Sequence, residues 1–336
     1  MTSIVVVGSQ AVLIVRQGAH GMVEEHLNGR HPRCLAVDVD DPSRWYVGTQ
    51  SDGLWRTADG GMTWEPAGSG IPYPDVTAVA VAAKGTSGNP AIYAGTEPST
   101  LSRSDDRGAT WRTLEGLAGL PSSSRWSFPP KPDTHHVRWI EPDPTTPDSL
   151  YVAIEAGALV RSKDGGATWH DRVEGGPFDS HTLATHHEAP GFVCAAAGDG
   201  YYESVDGGDH WTRPMGGLNH GYLVGVAIDR GDPDTVIVSG APGPHVAYRP
   251  PQVEAYLYRK EHGGSFAPAM EGLPGASGST AARLAGHPET AGVFFAVNNH
   301  GLFRSHDSGK SWTAVKAQWP AGALADGAHA LALWTE

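Results

Sequence analysis

Histidine is plentiful in this chain, with 17 among 336 residues, and three of them stand at matching places. His136, His181 and His220 each sit at or just before the start of an apolar run, in three successive sequence units. Neutral imidazoles converging at one mouth could hold Zn²⁺ or another divalent metal with an open position, and the bound water would become a nucleophile near neutral pH. Glu155 is then the candidate general acid or base, Arg138 orients an anionic or carbonyl-bearing substrate, and Tyr222 completes the catalytic set. Arg33, Trp126, Glu97 and Asn299 are the expected substrate contacts, and His135 and His245 are reserve ligands. The bland alternative is that each imidazole satisfies a nearby carbonyl or carboxylate, since no short ligand spacing such as His-Glu-x-x-His is present.

The elements that must position these residues are set by a repeated turn. Its copies are Thr57-Ala-Asp59-Gly-Gly61-Met-Thr-Trp64, Ser104-Asp-Asp106-Arg-Gly108-Ala-Thr-Trp111, Ser162-Lys-Asp164-Gly-Gly166-Ala-Thr-Trp169, Ser204-Val-Asp206-Gly-Gly208-Asp-His-Trp211 and Ser305-His-Asp307-Ser-Gly309-Lys-Ser-Trp312. A decayed copy reads Arg259-Lys-Glu261-His-Gly263-Gly-Ser-Phe266. An Asp carboxylate here accepts backbone N–H groups, Gly permits positive φ, and the aromatic buries a large surface as the next strand begins. A device repeated this often serves the fold, so catalysis by these Asp residues is not expected.

The pattern resembles the Asp box, or BNR repeat, of sialidase-like propellers, and it covers most of the chain. Resemblance to sialidases implies an arginine triad, a Tyr–Glu pair and an Asp, for which Arg33, Arg138 and Tyr222 are the nearest matches. The early Phe/Tyr-Arg-Ile-Pro motif of that family is missing and its members have six blades, so sialidase or glycosidase activity is the less favoured expectation. Xyloglucanases of this type look like two propellers with a cleft between them, and this chain supplies one. Photosystem II stability and assembly factors are similar in length and blade count, and that resemblance implies a non-catalytic scaffold.

Each copy follows two apolar runs and a short third run and precedes a fourth, as in Cys34-Leu-Ala-Val-Asp38, Trp45-Tyr-Val-Gly48, Gly53-Leu-Trp-Arg56 and Thr63-Trp-Glu-Pro66. Six such units leave strands over at both ends. Ile4–Val7, Val12–Val15 and Met22–His26, joined by the C-terminal run Ala328–Trp334, make a seventh. The expectation is an all-β, seven-bladed β-propeller with four-stranded blades, its ring closed by three N-terminal strands and one C-terminal strand, which removes open sheet edges. The whole of 1–336 reads as a single domain.

Two units carry insertions, Gly116–His135 and Ala241–Glu254, in loops expected on the same face as the starts of the innermost strands. Insertions gathered on one face of a repeat fold usually mark a binding face. The net charge of -13 argues against nucleic acid and against an anionic membrane surface. Cys34 and Cys194 fall several blades apart and read as unpaired. The start lacks a secretory pattern and no stretch approaches a membrane span, so the expectation is a cytoplasmic protein. Two functions stay open: a small-molecule enzyme, a hydrolase or lyase with a His-rich, metal-assisted site at the channel mouth, or a non-catalytic binding or assembly propeller that recruits a protein partner through its inserted loops.

Overall fold

Short apolar runs separated by Gly, Pro, Asn and Asp turns fold as antiparallel hairpins, and these assemble into seven sheets. The computed structural model describes residues 2–16, 21–84, 89–146 and 148–335. The chain divides into two compact units. In the unit made of Arg30–Val193 and Ser204–Thr212, one sheet runs Pro32–Val37, Trp45–Thr49, Leu54–Thr57 and Glu65–Pro66, and a second runs Val76–Lys84, Pro90–Thr96, Leu101–Ser104 and Arg112–Thr113. A third runs Val137–Pro142, Leu150–Ile154 and Ala158–Ser162.

The unit made of Met1–Gly29, Cys194–Glu203 and Arg213–Glu336 holds the sheet Tyr222–Asp229, Asp232–Ala241, Tyr256–Lys260, Ala267–Pro268 and the sheet Arg283–Gly286, Phe294–Asn298, Gly301–Ser305, Thr313–Ala314. Its last sheet is the expected closure. Ala330–Thr335 pairs antiparallel with Thr2–Val7, in register from Thr2↔Thr335 to Val7↔Ala330, and Val12–Arg16 and Val23–His26 follow outward. Ile4, Val6 and Leu13 are buried with Val293, Phe295 and Val297, so closure is held by core packing as well as by the backbone ladder. The remaining sheet is Ser180–Thr185, Val193–Ala197 and Gly200–Ser204. The fold is an all-β, seven-bladed propeller, and among the described residues helix is limited to the 3₁₀ turns Glu115–Leu117, Ser123–Arg125 and Pro244–Val246. No described helix is long and apolar enough to cross a membrane.

The fourth strands are slighter than the sequence suggests. Apart from Val23–His26 in the closing sheet, those present are two residues long, and in the third sheet only the bridge Arg161↔His170 stands in that place. They lie outermost and exposed, as at Glu65 and Pro66, so little burial rewards a longer ladder, and proline removes a donor.

The repeated turns are hydrogen-bonded clasps. Ser162 Oγ donates to Asp164 Oδ1 at 2.8 Å and accepts the Gly166 N–H at 2.8 Å, while Asp164 accepts the Thr168 N–H at 2.8 Å and its hydroxyl at 2.5 Å. Gly166 has φ 89°, which an L side chain resists. At Trp111 the terminal aromatic bridges blades: its indole donates to the Ala67 carbonyl at 2.6 Å, and the ring packs with Tyr46, Leu54 and Ile92. The decayed copy departs from the expected alignment by one residue. Lys260 pairs with Val236 as Ser162 pairs with Leu150, so Lys260, not Arg259, stands where the hydroxyl would be.

That register exposes a device that the sequence reading missed. Arg56, Arg103, Arg161 and Arg259 each precede the first residue of a turn, and each donates to a carbonyl in the next blade's turn: Arg107 at 2.8 Å, Gly165 at 3.2 Å, Gly207 at 2.6 Å and Ser308 at 2.5 Å. In the sheet that holds Gly200–Ser204, Glu203 takes the arginine's position, and Lys260 answers it with an ion pair over the ring of Tyr201. Here an acid faces a cation where the other seams set an arginine against a carbonyl, so attraction is kept.

Candidate functional site

Three loops in the Arg30–Val193 unit share one construction. The residue after each second strand donates its N–H to the residue just before the innermost strand of the same blade: Gln50 to His31 at 3.0 Å, Glu97 to Asp75 at 3.0 Å and Glu155 to His136 at 3.3 Å. In two of the three, the following blade caps the loop with a carboxylate. Asp75 accepts the Ser51 N–H at 2.5 Å, and Asp179 accepts the Ala156 N–H at 2.9 Å. Ala156 is held with φ 49°, and Gly157 lets the Trp126 ring lie against the turn, since a Cβ there would come within 3.0 Å of it.

These constraints aim Glu155 at a cluster of polar groups. Its Oε2 lies 2.7 Å from His136 Nε2 and 3.2 Å from Arg138 Nε. Its Oε1 lies 3.8 Å from His181 Nε2, which is also 3.7 Å from Asp179 Oδ2. The His181 side chain is 1% exposed and that of Glu155 13%. Burial pushes the Glu155 carboxyl up, but the charge of Arg138, the His136 hydrogen bond and the charge of His181 together outweigh it and hold the pKa at about 2. Glu155 is therefore ionised at neutral pH. It is suited to holding cations and unsuited to donating a proton.

The inserted segment 116–135 covers this cluster on one side. Phe128 meets the His136 ring edge-on at 4.8 Å, and Trp126 meets His135 at 5.6 Å. Trp126, expected as a substrate contact, is 7% exposed and gives its indole N–H to Ser122, which Asp171 anchors through both its N–H and its hydroxyl. The ring pins the insertion and presents little surface to a ligand. Burial lowers the pKa of His135, helped by the neighbouring charge of His136. Glu97 pairs with Lys131 of the insertion at 3.0 Å, and the exposed Arg33 donates to Gln50.

The remaining candidates belong to the other unit. There His220 stacks on Tyr256, with ring centroids 4.3 Å apart and planes at 17°, and its Nδ1 lies 2.6 Å from the Tyr258 hydroxyl. Tyr222 bonds the Tyr248 hydroxyl at 2.9 Å, Asn299 exchanges hydrogen bonds with Thr280 at 2.8 and 3.1 Å, and His245 is exposed in the turn Pro244–Val246. Glu155, His136, Arg138 and His181 are thus brought together. Asp179 joins them unannounced: its signal was its place just before an innermost strand, shared with His31, Asp75 and His136.

Glu155, Asp179 and His181 each offer one ligand atom, all within 4.8 Å of one another. The gaps of 3.7 and 3.8 Å are too long for hydrogen bonds, yet shorter than two Zn–ligand bonds of about 2.0–2.1 Å laid end to end. The residue types suit a borderline cation such as Zn²⁺.

No family model matches the chain. It resembles the xyloglucanase propellers. Xyloglucanase Xgh74A of Acetivibrio thermocellus is 27% identical over 251 residues, covering 69% of this chain and 24% of the relative. The chain therefore spans about a quarter of the length of the curated relatives it matches. Among solved structures, the Niastella koreensis GH74 enzyme superposes with a TM-score of 0.71 at 16% identity, over 92% of this chain and 51% of that one. YCF48 bound to a D1 peptide superposes at 0.57 with 17% identity, over 93% and 84%. These structural likenesses show the fold, which enzymes and a peptide-bound propeller share.

Proposed function

We propose that Glu155, Asp179 and His181 bind a divalent cation and that the chain is a metal-assisted hydrolase or lyase acting on a small molecule at this site. The observation that supports it most is the pair of gaps around His181 Nε2, each of a length that one ion could bridge. In this reading Glu155 is a ligand through Oε1, and His136 and Arg138 fix the carboxylate by holding Oε2. Arg138, half-buried beside them, also orients an anionic or carbonyl-bearing substrate. A bound cation would acidify a water and polarise a carbonyl. His220 is left to the aromatic cluster of its own unit.

Isothermal titration of Zn²⁺ into the protein is the test. One site is expected, weakened at least tenfold in both Asp179→Asn and His181→Gln, with ester or phosphoester cleavage that rises with bound metal. Zinc binding of equal strength in wild type and both variants, or none at all, overturns it.

The second reading, a propeller that recruits a protein partner, draws support from the other insertion. Arg249, Pro250, Pro251 and Gln252 are exposed there, beside the Tyr222–Tyr248 pair. If it is right, Tyr248→Ala together with Arg249→Ala abolishes co-elution with the partner while zinc titration is unchanged.

A further inference from the structure

Strand Val137–Pro142 carries, beyond Arg138, a carboxyl that the site does not use. Glu141 receives three donors. The Trp139 indole N–H binds Oε2 at 3.0 Å, and Oε1 takes both the Thr185 N–H at 3.1 Å and the Thr185 hydroxyl at 2.9 Å. Thr185 ends the neighbouring innermost strand, Ser180–Thr185, so this carboxyl links two adjacent blades. The Thr185 hydroxyl also has the Pro142 carbonyl within reach at 3.5 Å.

That second acceptor matters because it completes the hydrogen bonding of both charge states. With Glu141 ionised, the Thr185 hydroxyl donates to Oε1. With a proton on Oε1, the carboxylic acid donates to Thr185 Oγ, and the hydroxyl turns its own hydrogen to the Pro142 carbonyl. The indole and amide donors keep acceptors either way, so neither state leaves a buried polar group unpaired. We propose that Glu141, Thr185 and Pro142 form a two-state proton site, taking up one proton from water, that couples protonation to the link between these two innermost strands.

The surroundings favour titration in the working range. Burial is the largest influence on Glu141 and pushes its pKa up to about 7, against the Trp139 and Thr185 hydrogen bonds, with Asp143, just past the end of the strand, adding to the rise. Tyr151 pairs with Glu141 across the hairpin, and the buried His186 follows Thr185. Strands Val76–Lys84 and Pro90–Thr96, which also pack here, bring no carboxylate and no histidine. The inference stands without the metal reading, because none of its groups touches Glu155, Asp179 or His181 in that reading.

The test is a pH series of two-dimensional ¹H–¹⁵N NMR spectra of the whole chain, following the Thr185 amide and the Trp139 indole. Both signals should move with one shared midpoint near neutral pH, and that movement should vanish in Glu141→Gln. Thr185→Ser, which keeps the hydroxyl, should retain it. Signals that stay fixed between pH 5 and pH 9 in wild type, or that titrate equally in Glu141→Gln, overturn the proposal. If Glu141→Gln fails to fold, a flat wild-type series still does so alone.

Discussion

Asp164 and Glu155 are two carboxylates of one unit, both held at a pKa of about 2, by opposite means. Asp164 sits in an exposed turn, and its ionised form is favoured first by the Thr168 hydroxyl, then by the Thr168 N–H. Glu155 is buried, and the Arg138 charge with the His136 and His181 imidazoles overcomes the cost of that burial. Acidity alone therefore does not mark a functional site. What distinguishes Glu155 is that its partners are charged or titratable and that one of its oxygens faces a gap.

The difference predicts a ranking of effects. Glu155→Gln should be the most damaging, because it leaves Arg138 half-buried without its counter-charge, at a cost of about 3–5 kcal/mol in urea unfolding. A loss below about 1 kcal/mol would mean that the cluster is effectively solvated. Arg161→Gln should come next, at about 1.5–3 kcal/mol, because a charged donor to the Gly207 carbonyl is removed from the seam between blades. Asp164→Ala should cost about 1 kcal/mol and leave zinc binding unchanged. Were Asp164→Ala to abolish zinc binding with stability intact, the separation of turn from site would be broken.

A pH series sharpens the same contrast. Asp164 and Glu155 have lowered folded-state pKa values, so their stabilisation is full above the ordinary carboxylate range and is lost as pH falls towards about 2. Glu141 has the reverse sign. Its folded pKa is raised from 4.5 to about 7, so its contribution is full below about 4.5 and is lost as pH rises to about 7. Thermal unfolding of Glu141→Gln should show a flatter dependence across that window than wild type. Identical slopes would remove Glu141 from the account.

Much of the fold was legible because the turns carry their mechanism in their letters. Ser-x-Asp-x-Gly followed by Trp fixes a hairpin, and its recurrence fixes a blade, so the closing strand Ala330–Thr335 could be assigned by subtraction. The edge strands were overcalled because periodicity does not report burial, and Glu65 and Pro66 have almost none. Most of the site followed from strand position: His136, Arg138 and His181 stand at strand starts, and Glu155 at the facing loop. Asp179 was harder to read, since an acid in Pro177-Phe-Asp-Ser180 resembles a solvated loop residue, and only its place just before an innermost strand hints at the cap on Ala156. The arginines before the turns were hidden for a similar reason. Their partners are carbonyls, which every sequence has everywhere.

The central claim is that Glu155, Asp179 and His181 share one cation. Anomalous diffraction from a crystal soaked in Zn²⁺ tests it most directly. The account predicts a single strong peak about 2.0–2.1 Å from His181 Nε2, in contact with Glu155 Oε1 and an Asp179 oxygen, with His136 and Arg138 still on Glu155 Oε2. A peak elsewhere with this cluster unchanged, or zinc held by His136 after it has left Glu155, would contradict it.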